Sequence, residues 1–189
     1  QIAASFGGLN RIDFAANEYT VTPIIIDPLR KKMLNDNLLL FFTGFTRFSA
    51  DIQRSTESSL SEKNKQLDMM LDLVDEAQNI LENKEKDLDE FGRLLDHTWK
   101  LKRGIGDKVS TDRIDEIYNK GMQAGALGGK LLGAGGGGFL LFYVPRDKQS
   151  DVRNALSEYM EVPFSFEDRG TRVIYYSPEF FDVEGSTEK

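Results

Sequence analysis

The chain has 189 residues, 40% of them hydrophobic and 29% charged, with a formal net charge of -7 at pH 7. That length supports one hydrophobic core with some surplus, and the acidic balance argues against nucleic acid as a main partner, because duplex binding needs a basic face. The lack of cysteine rules out disulfides and thiolate metal sites, and a lone histidine, His97, argues against a histidine-based metal centre. No run of about 18 apolar residues occurs, so no membrane-spanning helix is expected. A cysteine-free chain without an export signal fits a reducing, cytoplasmic setting.

Taken in chain order, "LNRIDF" and "YTVTPIII" within residues 9–26 predict a β-hairpin, with Asn17 of "AANE" in the turn. The apolar run Leu38 to Gly44, "LLLFFTG", predicts a strand buried on both faces. A helix follows with Leu67, Leu71, Val74, Ala77 and Leu81 on its apolar side, ending at the charged run Glu82 to Asp87. A second helix carries Leu88, Phe91, Leu95, Thr98 and Leu101 inward. A third starts at a Ser110 or Thr111 N-cap and turns Ile114, Ile117, Tyr118 and Met122 inward.

Beyond a glycine-rich stretch, "FLLFYVP" predicts a second buried strand closed by Pro145. "DKQSDVRNALSEYM" predicts a helix with Val152, Ala155, Leu156 and Tyr159 inward. "PFSFE" and "TRVIYYS" predict a final strand pair around a turn at Asp168–Gly170, and the acidic residues after Pro178 a frayed tail. The order is α+β, most simply a split βαβ (ferredoxin-like) sandwich with inserted helices.

The stretch "GALGGKLLGAGGGGFLLFYV", Gly125 to Val144, places five glycines in the six positions Gly133–Gly138. Gly133, Gly135 and Gly138 satisfy G-x-G-x-x-G, yet a helical segment precedes them and a strand follows, the inverse of a dinucleotide fingerprint. A P-loop fails twice, with Ala124 at the leading glycine position and Leu131 in place of the Ser/Thr. What fits is a helix-to-strand loop whose bare backbone N–H groups receive phosphate oxygens. Close crossing of a helix over the sheet is the alternative, and it explains one or two glycines better than five.

"GGKLLGAGGGGFLLFYV" resembles the third conserved motif of the galactokinase, homoserine kinase, mevalonate kinase and phosphomevalonate kinase (GHMP) superfamily. With Lys130, Leu131, Leu132 and Phe139 it is similar to the D-glycero-D-manno-heptose 7-phosphate kinase branch. So are "QIAASFGGLN", "FFTGFTRFSADI", "FGRLLDHTWKLK" and "RIDEIYNKGMQAGALGGK". The resemblance implies transfer of the γ-phosphoryl group of ATP, with Mg2+, to the anomeric hydroxyl of a heptose 7-phosphate. Galactokinase-like or uronate kinase-like sugar kinases, and a non-catalytic sugar or nucleotide sensor of the same fold, are the neighbouring readings.

The resemblance further implies that residues 1–30 are the last strands of an N-terminal kinase domain, 31–178 a GHMP kinase C-terminal domain, and 179–189 a frayed acidic tail. The family's P-x-x-x-G-L-G-S-S loop, with its magnesium-binding serine, is not in this sequence. The family's catalytic Asp is expected immediately before Gln1. No catalytic or metal-binding residue is therefore expected in these 189 residues, which alone should be inactive. Gly133, Ala134, Gly135, Gly136, Gly137 and Gly138, with Lys130, are the candidate phosphate ligands. Lys130 is otherwise a solvated lysine at a helix end.

Thr43 and Arg47, just past the "LLLFF" strand, are candidate sugar-phosphate contacts, an arginine there offering a bidentate grip. His97 is a structural hydrogen-bonded residue or, by the resemblance, a substrate-pocket residue, while Trp99 is packing. Lys100, Lys102 and Arg103 end a helix. They complement its dipole, or Lys102 recognises the acceptor's distal phosphate. The partners expected are a sugar phosphate and ATP, and the sequence carries no signal of oligomeric state.

Overall fold

The computed structural model describes residues 1–44, 64–105, 109–133 and 137–176. The chain divides into two compact units, Gln1–Pro23 with the residues from Phe166 onward, and Ile24–Ser165.

The first unit holds the short helix α1 (Ile2–Phe6) and the predicted hairpin, β1 (Asn10–Phe14) and β2 (Tyr19–Pro23). The two strands are antiparallel, with Asn10 opposite Pro23 and Phe14 opposite Tyr19. The Gly8 N–H donates to the Glu167 carbonyl at 2.8 Å and the Thr171 N–H to the Ser5 carbonyl at 2.9 Å, tying the later segment to the earlier one. The strand pair predicted from "PFSFE" and "TRVIYYS" does not form, and the described residues there are irregular. Val173, Ile174, Tyr175 and Tyr176 are 70–88% exposed. β-Propensity is largely side-chain packing on a sheet face, and exposed side chains gain little of it. The predicted tail after Pro178 lies outside the described residues.

The second unit begins with α2 (Pro28–Asp36), for which hydrophobic periodicity gave no signal. Its start is built from capping chemistry instead. Asp27 accepts the Leu29 and Arg30 N–H groups at 2.9 and 3.3 Å, and Pro28 follows the cap with its φ already set. Then come β3 (Leu38–Phe42), α3 (Asn64–Glu82), α4 (Asp89–Ile105), α5 (Asp112–Gln123), β4 (Gly128–Leu131), β5 (Phe139–Tyr143), α6 (Gln149–Ala155) and β6 (Met160–Glu161). Arg30 of α2 donates to the Ile80, Leu81 and Lys86 carbonyls at 2.6, 3.2 and 2.8 Å, closing the C-terminal end of α3.

Among the described residues, these strands form one antiparallel sheet in the order β4-β5-β3-β6. In order of appearance that is second, third, first, fourth, the strand order of the split βαβ fold expected from sequence. The membership differs from expectation at two places. β4 was read as the end of a helix and the start of the glycine loop. It is a strand, since α5 stops at Gln123 and Gly128–Leu131 pairs with Tyr143–Leu140 of β5. The last strand is Met160–Glu161 rather than the later segments.

The main core lies on the sheet face carrying Leu39, Phe41, Leu131, Leu140 and Phe142, against Ile114, Ile117 and Tyr118 of α5 and Val152 and Leu156 near α6. α5 starts at the predicted cap, where Thr111 Oγ1 accepts the Ile114 N–H at 3.3 Å. The stripe predicted for α3 is only partly inward. Leu73, Ile80 and Leu81 are buried, while Leu71 and Val74 are 59% and 41% exposed, because this helix packs chiefly along α4 through Leu94, Phe91 and Leu101.

α4 crosses β4 at contact distance, and glycine makes that approach possible. A Cβ on Gly128 would lie 1.9 Å from the Gly92 carbonyl oxygen of α4 and 2.7 Å from the Asp96 nitrogen. A Cβ on Gly92 would meet the Tyr143 ring at 2.6 Å. Gly128→Ala should therefore force α4 off the sheet and cost about 3 kcal/mol, as overpacked cores do. Urea unfolding measures this, and an unchanged midpoint would contradict the packing.

Candidate functional site

The glycine loop joins two antiparallel strands, β4 and β5, rather than a helix to a strand. Its base is closed by the Leu132 N–H donating to the Phe139 carbonyl at 2.8 Å. The corrected context explains the glycine distribution. Gly128 and Gly129 serve close packing, since a Cβ on Gly129 would sit 2.5 Å from the Leu141 oxygen. Gly133 and Gly138 serve backbone conformation, at φ +85° and +107°, where side chains are strained and no close neighbour blocks the space. Ala134, Gly135 and Gly136 lie outside the described residues.

Thr43 fixes the loop from below. It follows β3, is 1% exposed, and stands where the β3–β5 pairing would continue past Phe42 and Phe139. Its N–H donates to the Gly138 carbonyl at 2.8 Å. Its hydroxyl donates to that carbonyl at 2.9 Å and accepts the Gly138 N–H at 3.1 Å. The Gly138 amide is thus engaged by Thr43. Arg47, the other candidate beyond this strand, lies outside the described residues.

Lysines flank the other end of the loop. Lys102, in the last turn of α4, donates to the Gly133 carbonyl at 3.3 Å. Lys130, two residues past Gly128, sits on the β4 face that α4 crosses. Gly128 meets α4 at Gly92, and ten residues further along the helix, a rise of about 15 Å, Lys102 reaches Gly133, two residues past the end of β4. α4 and β4 therefore run side by side toward the Gly133 end of the loop.

The basic cluster at the end of α4 resolves into distinct roles. Lys100 pairs with Asp96 at 2.6 Å, one turn back, and Arg103 with Asp115 at 2.5 Å, whose other oxygen accepts from Ser110. Among the described residues, neither Lys102 nor Lys130 has a carboxylate partner. Burial holds the Lys130 ammonium below the ordinary lysine value. Burial, and then the charge of Lys130, does the same to Lys102. Their proximity escaped the sequence because 28 residues separate them.

The structure does not bring His97 to this place. His97 is exposed on α4, in a cleft of about 260 Å³ between α3 and α4 that it lines with Leu73, Glu76, Glu90, Arg93 and Leu94. Trp99, on the same helix, is buried against Tyr118 in the main core. Among the described residues no group of His, Asp or Glu side chains could hold a metal ion, and no helix is long and apolar enough to cross a membrane.

Thr43→Val keeps the shape of the side chain and removes both hydroxyl bonds to Gly138. It should destabilise the protein by about 2 kcal/mol, the cost of stranding a half-buried amide, while Thr43→Ser stays near the parent. Equal stability of the valine variant in urea would contradict the clamp.

Residues 70–162 match the family described as GHMP kinases C terminal. The chain is 32% identical over 181 residues to D-glycero-alpha-D-manno-heptose 7-phosphate kinase of Campylobacter jejuni, covering 91% of this chain and 52% of that one. It is similar in structure to a D-glycero-D-manno-heptose 1-phosphate kinase from Bacteriodes thetaiotaomicron, with TM-score 0.57 and 25% identity, over 93% of this chain and 48% of the other. L. major mevalonate kinase in complex with R-mevalonate shares the fold at TM-score 0.66 and 20% identity, over 91% and 52%. The chain thus spans about half the length of the Campylobacter relative.

Proposed function

Because this chain carries the GHMP kinase C-terminal domain, we propose that it works as the C-terminal part of an ATP-dependent sugar kinase, its acceptor the anomeric hydroxyl of D-glycero-D-manno-heptose 7-phosphate. The observation that carries the reading is the glycine loop, pinned by Thr43 at Gly138 and faced at Gly133 by a lysine with no carboxylate partner among the described residues. The similarity to the Campylobacter heptose 7-phosphate kinase supports the acceptor.

In the transfer, the acceptor oxygen bonds to the γ-phosphorus, the bond to the β–γ bridging oxygen breaks, ADP leaves, and the hydroxyl proton passes to a base. Catalysis of this kind rests on positioning and on stabilising charge over the transferred oxygens. The described residues suit that task. Lys102 and Lys130 bring positive charge on rigid elements, and Gly133 at the loop's edge leaves open space where a side chain would otherwise stand. The base for the acceptor hydroxyl and the groups that hold Mg2+ would come from outside these 189 residues.

A coupled ADP-release assay on the complete natural protein, with ATP, Mg2+ and a panel of sugars and sugar phosphates, tests the reading. Turnover with the heptose 7-phosphate is expected, and none from the 189-residue chain alone. Turnover only with another sugar would replace the acceptor, and nucleotide binding without turnover on any of them would overturn the kinase.

A further inference from the structure

The sequence gives Lys130 and Lys102 separate duties, one toward the nucleotide and one toward the acceptor. The geometry points to a different arrangement: we propose that Lys102 and Lys130 act together as the site of a single phosphoryl dianion at the Gly133 end of the glycine loop. This rests on the placement of the two side chains and goes beyond the kinase reading, which needs no such sharing.

Each lysine is held by a rigid element, Lys102 by the last turn of α4 and Lys130 by β4 opposite Leu141. Both are half-buried, and each is near enough for the charge of Lys130 to act on Lys102. Among the described residues, the other cations in the last turns of α4 are neutralised, Lys100 by Asp96 and Arg103 by Asp115. Among the described residues, Lys102 and Lys130 keep like charges together in a half-buried place, an arrangement unfavourable in itself. A doubly charged phosphate removes the repulsion and receives two charge-assisted hydrogen bonds. Lys102 already donates to the Gly133 carbonyl, so its ammonium sits at the rim of the loop, where such a group would enter. The chemistry selected is a terminal phosphate or a phosphate monoester, and either the nucleotide or the acceptor can present it.

The test is thermal unfolding of the complete natural protein against inorganic phosphate at constant ionic strength, for the parent, Lys102→Met and Lys130→Met. Methionine keeps the apolar stem of lysine and removes the charge. Phosphate should raise the parent's Tm, and each substitution should weaken phosphate binding at least about tenfold, the worth of one charge-assisted bond. Without phosphate the Lys130→Met protein should be no less stable than the parent, because a repulsion has been removed. Loss of phosphate binding in only one variant, or in neither, would overturn the shared site.

Kinetics on the same proteins identify the source of the anion. A raised KM for the sugar phosphate in both variants assigns the acceptor, and a raised KM for ATP in both assigns the nucleotide. Either supports sharing. An acceptor effect confined to Lys102→Met with an ATP effect confined to Lys130→Met would contradict it. The thermal readout needs no turnover, so failure of the kinase assay would leave this test intact.

Discussion

The second unit is organised by how closely α4 lies on β4. A Cβ on Gly128 would strike the Gly92 carbonyl of α4, and one on Gly92 would strike the Tyr143 ring of β5, so neither position has room for a side chain. The helix is then held along its length. Near its start, the Tyr143 hydroxyl donates to Asp89 at 3.0 Å and accepts from Asn37 at 2.9 Å. In the middle, the Tyr118 hydroxyl donates to Asp96 at 2.8 Å. At its end, Arg103 bonds Asp115 of α5. Burial and the carboxylates beside them push both tyrosines well above their usual values, so they remain donors across the physiological range. A helix fixed in this way carries its last turn to one place, the Gly133 end of the glycine loop.

From that constraint follows the electrostatics of the loop. Asp96 and Asp115, which hold α4 in position, also neutralise Lys100 and Arg103. Among the described residues around the loop, uncompensated positive charge therefore falls on Lys102 and Lys130, in a chain whose net charge is -7. An acidic protein can bind an anionic ligand when the local field is shaped like this. Thr43 completes the arrangement from the opposite end, where the continuation of β3 secures Gly138.

Much of the fold was legible in the sequence, for identifiable reasons. The hairpin, β3, β5 and the α4–α5 pattern are written in side chains with clear periodicity or caps, which report local structure directly. β4 was not legible, because "GGKL" lacks the β-branched and aromatic residues that mark strands. It is a strand through pairing with β5 and through contact with α4, both long-range facts. The final predicted pair failed the other way, with strand-like residues Val173–Tyr176 of "TRVIYYS" left largely exposed. At the site, the glycine motif was visible from composition, but its division into packing glycines and conformational glycines required the neighbours. Thr43 was singled out as a substrate contact, and its bonds to Gly138 depend on a carbonyl 95 residues away. α2 could have been found from its Asp27–Pro28 start.

The central claim is that phosphate chemistry occurs at the glycine loop rather than in the His97 cleft between α3 and α4. Amide hydrogen exchange on the complete natural protein, with and without Mg2+ and a non-hydrolysable ATP analogue, tests it most directly. The account predicts slowed exchange in peptides that contain Gly133 and Gly138, with those lining the His97 cleft unchanged. Protection around His97, with the loop peptides exchanging as before, would contradict it.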